Sequence, residues 1–312
     1  MQHSANRRPF FIVVLLTLGL FLAACRQPCP ETERTYHHLV IFGDPHLPGK
    51  HLAQKEQMRK TVNGWRDVDL VIAVGDICDE YGTPEEYRAA RSFFARLNHP
   101  IAAVAGNHDY LYETPSWPGG GGYKPATRTV QEAKLAFFRQ TFHLPKYYFS
   151  KQIGDYLLIF LSTDHESFNT GIGEEQMAWL RDELARNPRI PTIIVFHAPL
   201  HGTQLAFKRY INRPSAVAQP MDTLHAFITA NPQIFLWISG HTHTPPTEES
   251  YSSPVNVYAG QVTNIHNTDM KRESIWTNSV LLYPDQVVVK TFNHQEGRWH
   301  PELERKILPP KL

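Results

Sequence analysis

Five short apolar runs in this 312-residue chain each stop at a residue whose side chain can bind a metal ion. The run at 39–42 leads into Gly43-Asp44-Pro45-His46, and the run at 70–74 into Gly75-Asp76. The run at 101–105 leads into Gly106-Asn107-His108-Asp109. The run at 193–196 leads into His197, and the run at 234–239 into Gly240-His241-Thr242-His243. Nearly unbroken apolar runs of this length, such as 69–74 and 192–196, read as strands buried on both faces. Helical patterns lie between them. Thr83-Pro84-Glu85-Glu86 is a capping box with proline at the first helical position, and the turns behind it put Tyr87, Ala90, Phe94 and Leu97 on one face. Residues 174–187 do the same with Met177, Leu180 and Leu184, and 221–230 is a shorter helix. Strands alternating with helices imply βαβ units, whose open sheets bind ligands beyond the carboxyl ends of their strands. The five polar run ends are therefore expected to converge on one sheet edge.

Farther along, the pattern changes. Strands are expected at 255–259, 279–283 and 286–292, with Pro284-Asp285 turning the last two into a hairpin. Helix-linked strands followed by hairpins suggest two sheets packed together. The polar run ends are spread over most of the length, which favours one catalytic domain, at 37–300, with a tail at 301–312. Hydrophobic residues at 42% and charged residues at 20% suffice for a sizeable core. The formal net charge of +1 gives no electrostatic case for a nucleic-acid partner, and none is expected. Two long loops leave directly from polar run ends. One, 110–129, holds Trp117, Tyr123, Lys124 and Arg128; the other, 201–220, holds Lys208, Arg209, Tyr210 and Arg213. Long loops in compact domains tend to be functional or disordered; leaving directly from polar run ends, both are expected to set substrate choice.

The first residues read as an address. Arg7 and Arg8 precede an apolar stretch at 10–24, shorter than the roughly 20 residues a spanning helix needs. The stretch closes with Leu22-Ala23-Ala24-Cys25 and resembles a bacterial lipoprotein signal. That resemblance makes 1–24 a signal peptide, Cys25 the lipidated mature N-terminus and 25–36 a tether. An ordinary signal peptide cleaved after Ala24, or a short signal anchor, are the alternatives. All three put the folded part outside the cytoplasm. The lipoprotein reading expects a cell-envelope protein held to a membrane by lipid, and Arg26 leaves an outer-membrane address open. Cys29 lies in the Pro-rich tether and Cys78 beside a metal motif, so a disulfide between them is not expected.

The five run ends together resemble the calcineurin-like metallophosphoesterase family, whose pattern is Asp-x-His, Gly-Asp-x-x-Asp, Gly-Asn-His-Asp, a lone His and Gly-His-x-His. The resemblance runs from about Leu39 to His243, and no ligand position is missing. It implies an α/β fold, a four-layer α/β/β/α sandwich of two mixed sheets. It implies that Asp44, His46, Asp76 and His243 hold one metal ion, and that Asp76, Asn107, His197 and His241 hold the other. It further implies a metal-bridging hydroxide that attacks phosphorus in line. His108 would then stabilise the transition state or protonate the leaving oxygen, with Asp109 holding its other ring nitrogen. Asp79 reads as a carboxylate that orders its loop, and Thr242 as backbone geometry between two ligands. The donor mix of carboxylate, imidazole and one amide, without thiolate, argues against a structural zinc site. It suits two divalent or trivalent ions of Mn, Fe, Zn or Ni.

The expected activity is hydrolysis of a small phosphoester, mono- or diester. Residues 79–87, 100–108 and 175–180 look most like the cyclic-nucleotide phosphodiesterase branch, while the export signal cuts against that branch's intracellular role. Two alternatives are a non-catalytic metal-binding envelope lipoprotein and a nuclease of the same superfamily. The first would normally have lost ligands; the second would want a basic, aromatic-lined groove.

Overall fold

A computed structural model of the chain describes residue 1 and residues 34–115 and 122–312, and residues 35–312 form one compact unit. The proposed signal peptide, Cys25, Cys29 and most of the tether lie outside the described residues, as does Trp117. Among the described residues, no helix is long and apolar enough to cross a membrane.

The chain begins with β1 (His37–Phe42), α1 (Leu52–Asn63), β2 (Leu70–Val74), α2 (Pro84–Phe94), β3 (Ile101–Val104), α3 (Asn107–Tyr110) and α4 (Arg128–Phe142). It continues with β4 (Phe149–Ile153), β5 (Tyr156–Leu161), α5 (Glu174–Arg186), β6 (Thr192–Phe196), α6 (Met221–Thr229), β7 (Ile234–Ser239), β8 (Val257–Tyr258) and β9 (Val262–His266). Four strands close the chain: β10 (Trp276–Leu282), β11 (Val287–Asn293), β12 (Arg298–Trp299) and β13 (Arg305–Ile307). One sheet runs β12-β11-β10-β1-β2-β3, with β13 also paired to β11; the other runs β4-β5-β6-β7-β9-β8. Within the first, β1, β2 and β3 are parallel and β10 is antiparallel to β1. In the second, β5, β6, β7 and β9 are parallel.

Because strand side chains alternate faces, each central strand feeds two cores. Leu39 and Ile41 point between the sheets, where they meet Phe160, Ile193, Val195 and Ile238. Val40 and Phe42 point outward into a core shared with Met58 and Val62 of α1, Phe93 of α2 and Phe138 of α4. On the far side, Ile194 and Phe196 pack with Leu180 of α5 and Leu224 of α6. The result is the expected helix–sheet–sheet–helix layering. The Thr83–Glu86 capping box also forms, the Thr83 hydroxyl taking the Glu86 N–H and the Glu86 carboxylate taking the Thr83 N–H.

Three expectations are corrected. The polar run ends converge on the joined edges of two sheets, not on one. The strand expected at 255–259 shrinks to Val257–Tyr258, because Pro254 opens a 3-10 turn and Ala259 and Gly260 turn into the left-handed region. Residues 301–312 are not only a tail: Arg305–Ile307 pairs with Val287–Val289, and Ile307 packs on the inter-sheet core.

Candidate metal centre

Asp44 and His46 follow β1, Asp76 follows β2, and Asn107 opens α3 after β3. From the other sheet, His197 follows β6, and His241 and His243 follow β7. All seven meet where the two sheets' carboxyl edges adjoin. Their donor atoms form two clusters, Asp44/His46/Asp76/His243 and Asp76/His197/His241, each with its atoms within 4.8 Å of one another. Asp76 belongs to both. Asn107 joins the second, its Oδ1 standing 3.1 Å from His197 Nε2.

The outward sides of the imidazoles decide what the inward sides can do. His46 Nδ1 lies 3.1 Å from the Asp79 carbonyl and His197 Nδ1 2.9 Å from the Val74 carbonyl. His241 Nε2 lies 2.9 Å from the Ser215 carbonyl, and His243 Nδ1 is 3.4 Å from the Asp269 carboxylate. These partners only accept, so in the neutral ring each outer nitrogen carries the proton and each inner one presents a lone pair. The inner nitrogens then face one another, His46 with His243 at 3.4 Å and His197 with His241 at 3.1 Å. Acceptors crowded against acceptors, beside two buried carboxylates, are the donor set of a cation site.

The backbone is bent to make this arrangement. Asp44, His46, Asp76, His241 and His243 all have φ between 37 and 62°. Such conformations cost about 1–3 kcal/mol each and persist where the surroundings over-determine them, commonly at functional sites. Two glycines leave the room. A Cβ on Gly240 would sit 1.9 Å from Asp44 Oδ1, and one on Gly106 would sit 2.3 Å from Asp76 Oδ1.

The electrostatics mark a place that favours positive charge. Burial opposes a charged His197, yet Asp76 and Asp44 overcome it and raise its pKa to about 9. Burial lowers His241 to about 3, assisted by His197, and it also holds His46 well below its usual value. Burial raises Asp44 despite His243 beside it. Asp76 and Asp44 thus favour positive charge at the point they share with His197.

His108 stands beside the clusters without joining them. Its Nδ1 is 2.9 Å from the Glu80 carbonyl and its Nε2 4.0 Å from Asp76 Oδ2. The expected Asp109–His108 bond is absent. Asp109 instead accepts the N–H groups of Ile77, Cys78 and Gly106 at 2.7–3.2 Å, stapling the turn after β2 to the turn after β3. Burial, and then the charge of Asp76, push its pKa up to about 7. The geometry therefore makes Asp109 a positioning residue. Asp79 pairs with Lys271 at 2.7 Å and leaves the donor clusters alone, as expected. Three contributors escape motif reasoning. Tyr112 accepts a hydrogen bond from Asn107 Nδ2 at 3.0 Å, which turns Asn107 Oδ1 inward. Asp269 backs His243. Lys208 donates to the Thr242 carbonyl at 3.1 Å, inside the His241–His243 turn.

Sequence comparison matches residues 37–245 to the calcineurin-like phosphoesterase family. The chain belongs to that family. Its members are generally hydrolases of phosphoesters that use dinuclear divalent metal centres. A 3′,5′-cyclic-nucleotide phosphodiesterase of Nostoc sp. is 24% identical over 241 residues, covering 77% of each chain. Among solved structures, a purple acid phosphatase from yellow lupin superposes with a TM-score of 0.60 at 16% identity, over 88% of this chain and 54% of that one. A dimetal phosphatase from Danio rerio superposes with a TM-score of 0.59 at 14% identity, over 89% of this chain and all of that one. At these identities the structural likeness establishes the fold.

Proposed function

We propose that this chain is a dinuclear metal-dependent phosphoester hydrolase. In this reading Asp44, His46, Asp76 and His243 hold one ion, and Asp76, Asn107, His197 and His241 hold the other. The observation that carries it is the inward turn of four imidazole lone pairs around Asp76, each fixed by an acceptor on the outer nitrogen. Oxygen and imidazole donors suit Mn, Fe, Zn or Ni. When bound, such a pair supplies Lewis acidity toward a phosphoryl oxygen and lowers the pKa of a water to about 7. The chain's own residues do the rest. Asp76 spans both clusters and takes the His108 N–H at 2.9 Å. The Glu80 carbonyl fixes the proton on His108 Nδ1, so Nε2 is the atom left to meet the leaving oxygen. Tyr112 keeps Asn107 from flipping. The retention of every donor favours hydrolysis over a purely binding role, and the formal net charge of +1 gives a nuclease no support.

The test pairs metal analysis with turnover of mono- and diesters by wild type and His108→Ala. Wild type should hold about two ions per chain. His108→Ala should keep both while losing about 10²–10⁴-fold in turnover. A wild type that binds no ions, or that hydrolyses no ester when loaded, defeats the proposal. The lipid on Cys25 and the envelope location are a separate part of the reading, motivated by Leu22-Ala23-Ala24-Cys25.

A further inference from the structure

Beside His108 lies a wall of three tyrosines, of which the hydrolytic scheme uses only Tyr112, as the anchor of Asn107. Tyr123 meets His108 edge-on at 4.9 Å between ring centroids and lies tilted against Tyr112 at 4.7 Å and Tyr81 at 5.7 Å. Tyr112 also meets His108 edge-on, at 5.3 Å. The wall is built rather than draped. Lys134, almost fully buried, donates its ammonium to the carbonyls of both Tyr81 and Tyr112. No carboxylate lies within ion-pairing distance of that ammonium among the described residues. Burying a lysine on two carbonyls is costly, and here the cost fixes the backbone of two of the three rings. The third is tied through the residues that follow it. The Glu113 N–H donates to the Lys124 carbonyl at 2.8 Å, and the Ala126 N–H to the Leu111 carbonyl at 2.7 Å. Tyr123 is nevertheless 50% exposed, so one side of a fixed aromatic ring remains open to solvent.

Position gives this open ring a role. A phosphoryl group on the two donor clusters would have His108 Nε2 as the imidazole nitrogen beside it, so the leaving oxygen faces His108. The group attached to that oxygen then extends toward Tyr123. Aromatic faces bind planar rings by offset or edge-on stacking, and they do so without reading hydrogen bonds.

We propose that Tyr123, backed by Tyr81 and Tyr112, is a leaving-group subsite that selects phosphoesters whose alcohol carries a planar unsaturated ring. This rests on the dinuclear reading of the site, because the phosphoryl group must be anchored first. Phosphonates separate the two ideas, since their P–C bond is not hydrolysed. The probes are methylphosphonate, benzylphosphonate and cyclohexylmethylphosphonate, titrated calorimetrically into manganese-loaded protein. The last two differ in planarity at similar bulk. Wild type should bind benzylphosphonate at least about tenfold more tightly than cyclohexylmethylphosphonate, as expected of one aromatic stack. Tyr123→Ala should erase that preference and leave methylphosphonate affinity unchanged. Tyr123→Phe should retain the preference. Equal binding of the two bulky probes by wild type overturns the subsite, as does a preference that survives in Tyr123→Ala. Loss of methylphosphonate as well in Tyr123→Ala makes Tyr123 a fold residue and overturns it too. If wild type binds none of the three, the dinuclear reading falls and the subsite falls with it.

Discussion

Gly240→Ala asks whether the room beside Asp44 exists for the metal centre. The added Cβ would stand 1.9 Å from Asp44 Oδ1, 3.0 Å from Cγ and 3.3 Å from the Val74 carbonyl. Carbon–oxygen contacts settle at about 3.3–3.6 Å, so the carboxylate or the turn must give by about 1.5 Å. Asp44 is fully buried and has nowhere easy to go. Its Oδ2 accepts the His241 N–H at 2.8 Å and faces His243 Nε2 at 2.8 Å. Metal sites tolerate about 0.2 Å in ligand position, so the site containing Asp44 should lose its ion. Misplacement by about 1 Å costs about 10²-fold in rate. Overpacking itself costs about 1–3 kcal/mol, a melting shift of a few degrees up to about 10 °C. The assays are metal content, thermal melting and turnover of an aryl phosphate. The expected result is a folded variant with about one ion and at least about 10²-fold less activity. Should Gly240→Ala not fold, the double change Gly240→Ala with Asp44→Ala removes the clash and should recover folding without activity. A variant that melts like wild type, holds two ions and turns over normally refutes the reasoning.

Two more predictions address stability and location. Asp164 is buried, and burial raises its pKa to about 6 despite hydrogen bonds from Gly173 and Tyr147. With a folded value above the unfolded 3.8, stability falls as pH rises through that window. The cost is about 3 kcal/mol at pH 7.5, about half that near pH 5, and gone below about pH 4. Asp164→Asn keeps an oxygen for the Gly173 N–H, so its urea midpoint should exceed wild type at pH 7.5 and the gain should shrink at pH 5; a gain that grows on acidification contradicts the sign. For the envelope reading, Cys25→Ser should abolish lipid labelling and release the protein from membranes, since stable anchoring takes more than one acyl chain. Wild-type protein recovered in soluble form beginning at Cys25 without lipid would remove the anchor.

The sandwich and the seven donors were legible because the same rule produces both. Strands buried on two faces must be apolar, and the first polar residue after each is the one that reaches the edge where ligands bind. The signal is weaker where burial is one-sided. In β4 two of five residues are exposed, so Phe149–Ile153 carries no continuous apolar run. The helix α4 buries Gln131 and Lys134 on the face it turns to the core, which breaks the apolar stripe that periodicity looks for. The role expected of Asp109 failed for a different reason. Neighbours in sequence on a one-turn helix point apart, so a carboxylate next to His108 reached backbone amides across two turns instead.

What the motifs could not show is how the imidazoles are aimed. Backbone carbonyls of Asp79, Val74 and Ser215 fix three of the four outer nitrogens, and a carbonyl leaves no trace in residue identity. Ser215 makes the point sharpest. It sits in the loop 201–220, expected to act on substrate choice, yet its carbonyl orients His241 and its neighbour Pro214 opens a short 3-10 turn. The Gln219 side chain ties the same turn by donating to the Pro214 carbonyl at 3.1 Å. That loop therefore cannot be altered for selectivity independently of the donor set. The loop carrying Tyr123 differs. It reaches the centre through Tyr112 and Asn107, while Tyr123 itself bonds to no donor. Selectivity and metal geometry are thus coupled on the His241 side and separable on the His108 side, which is why the ring subsite can be tested there without dismantling the centre.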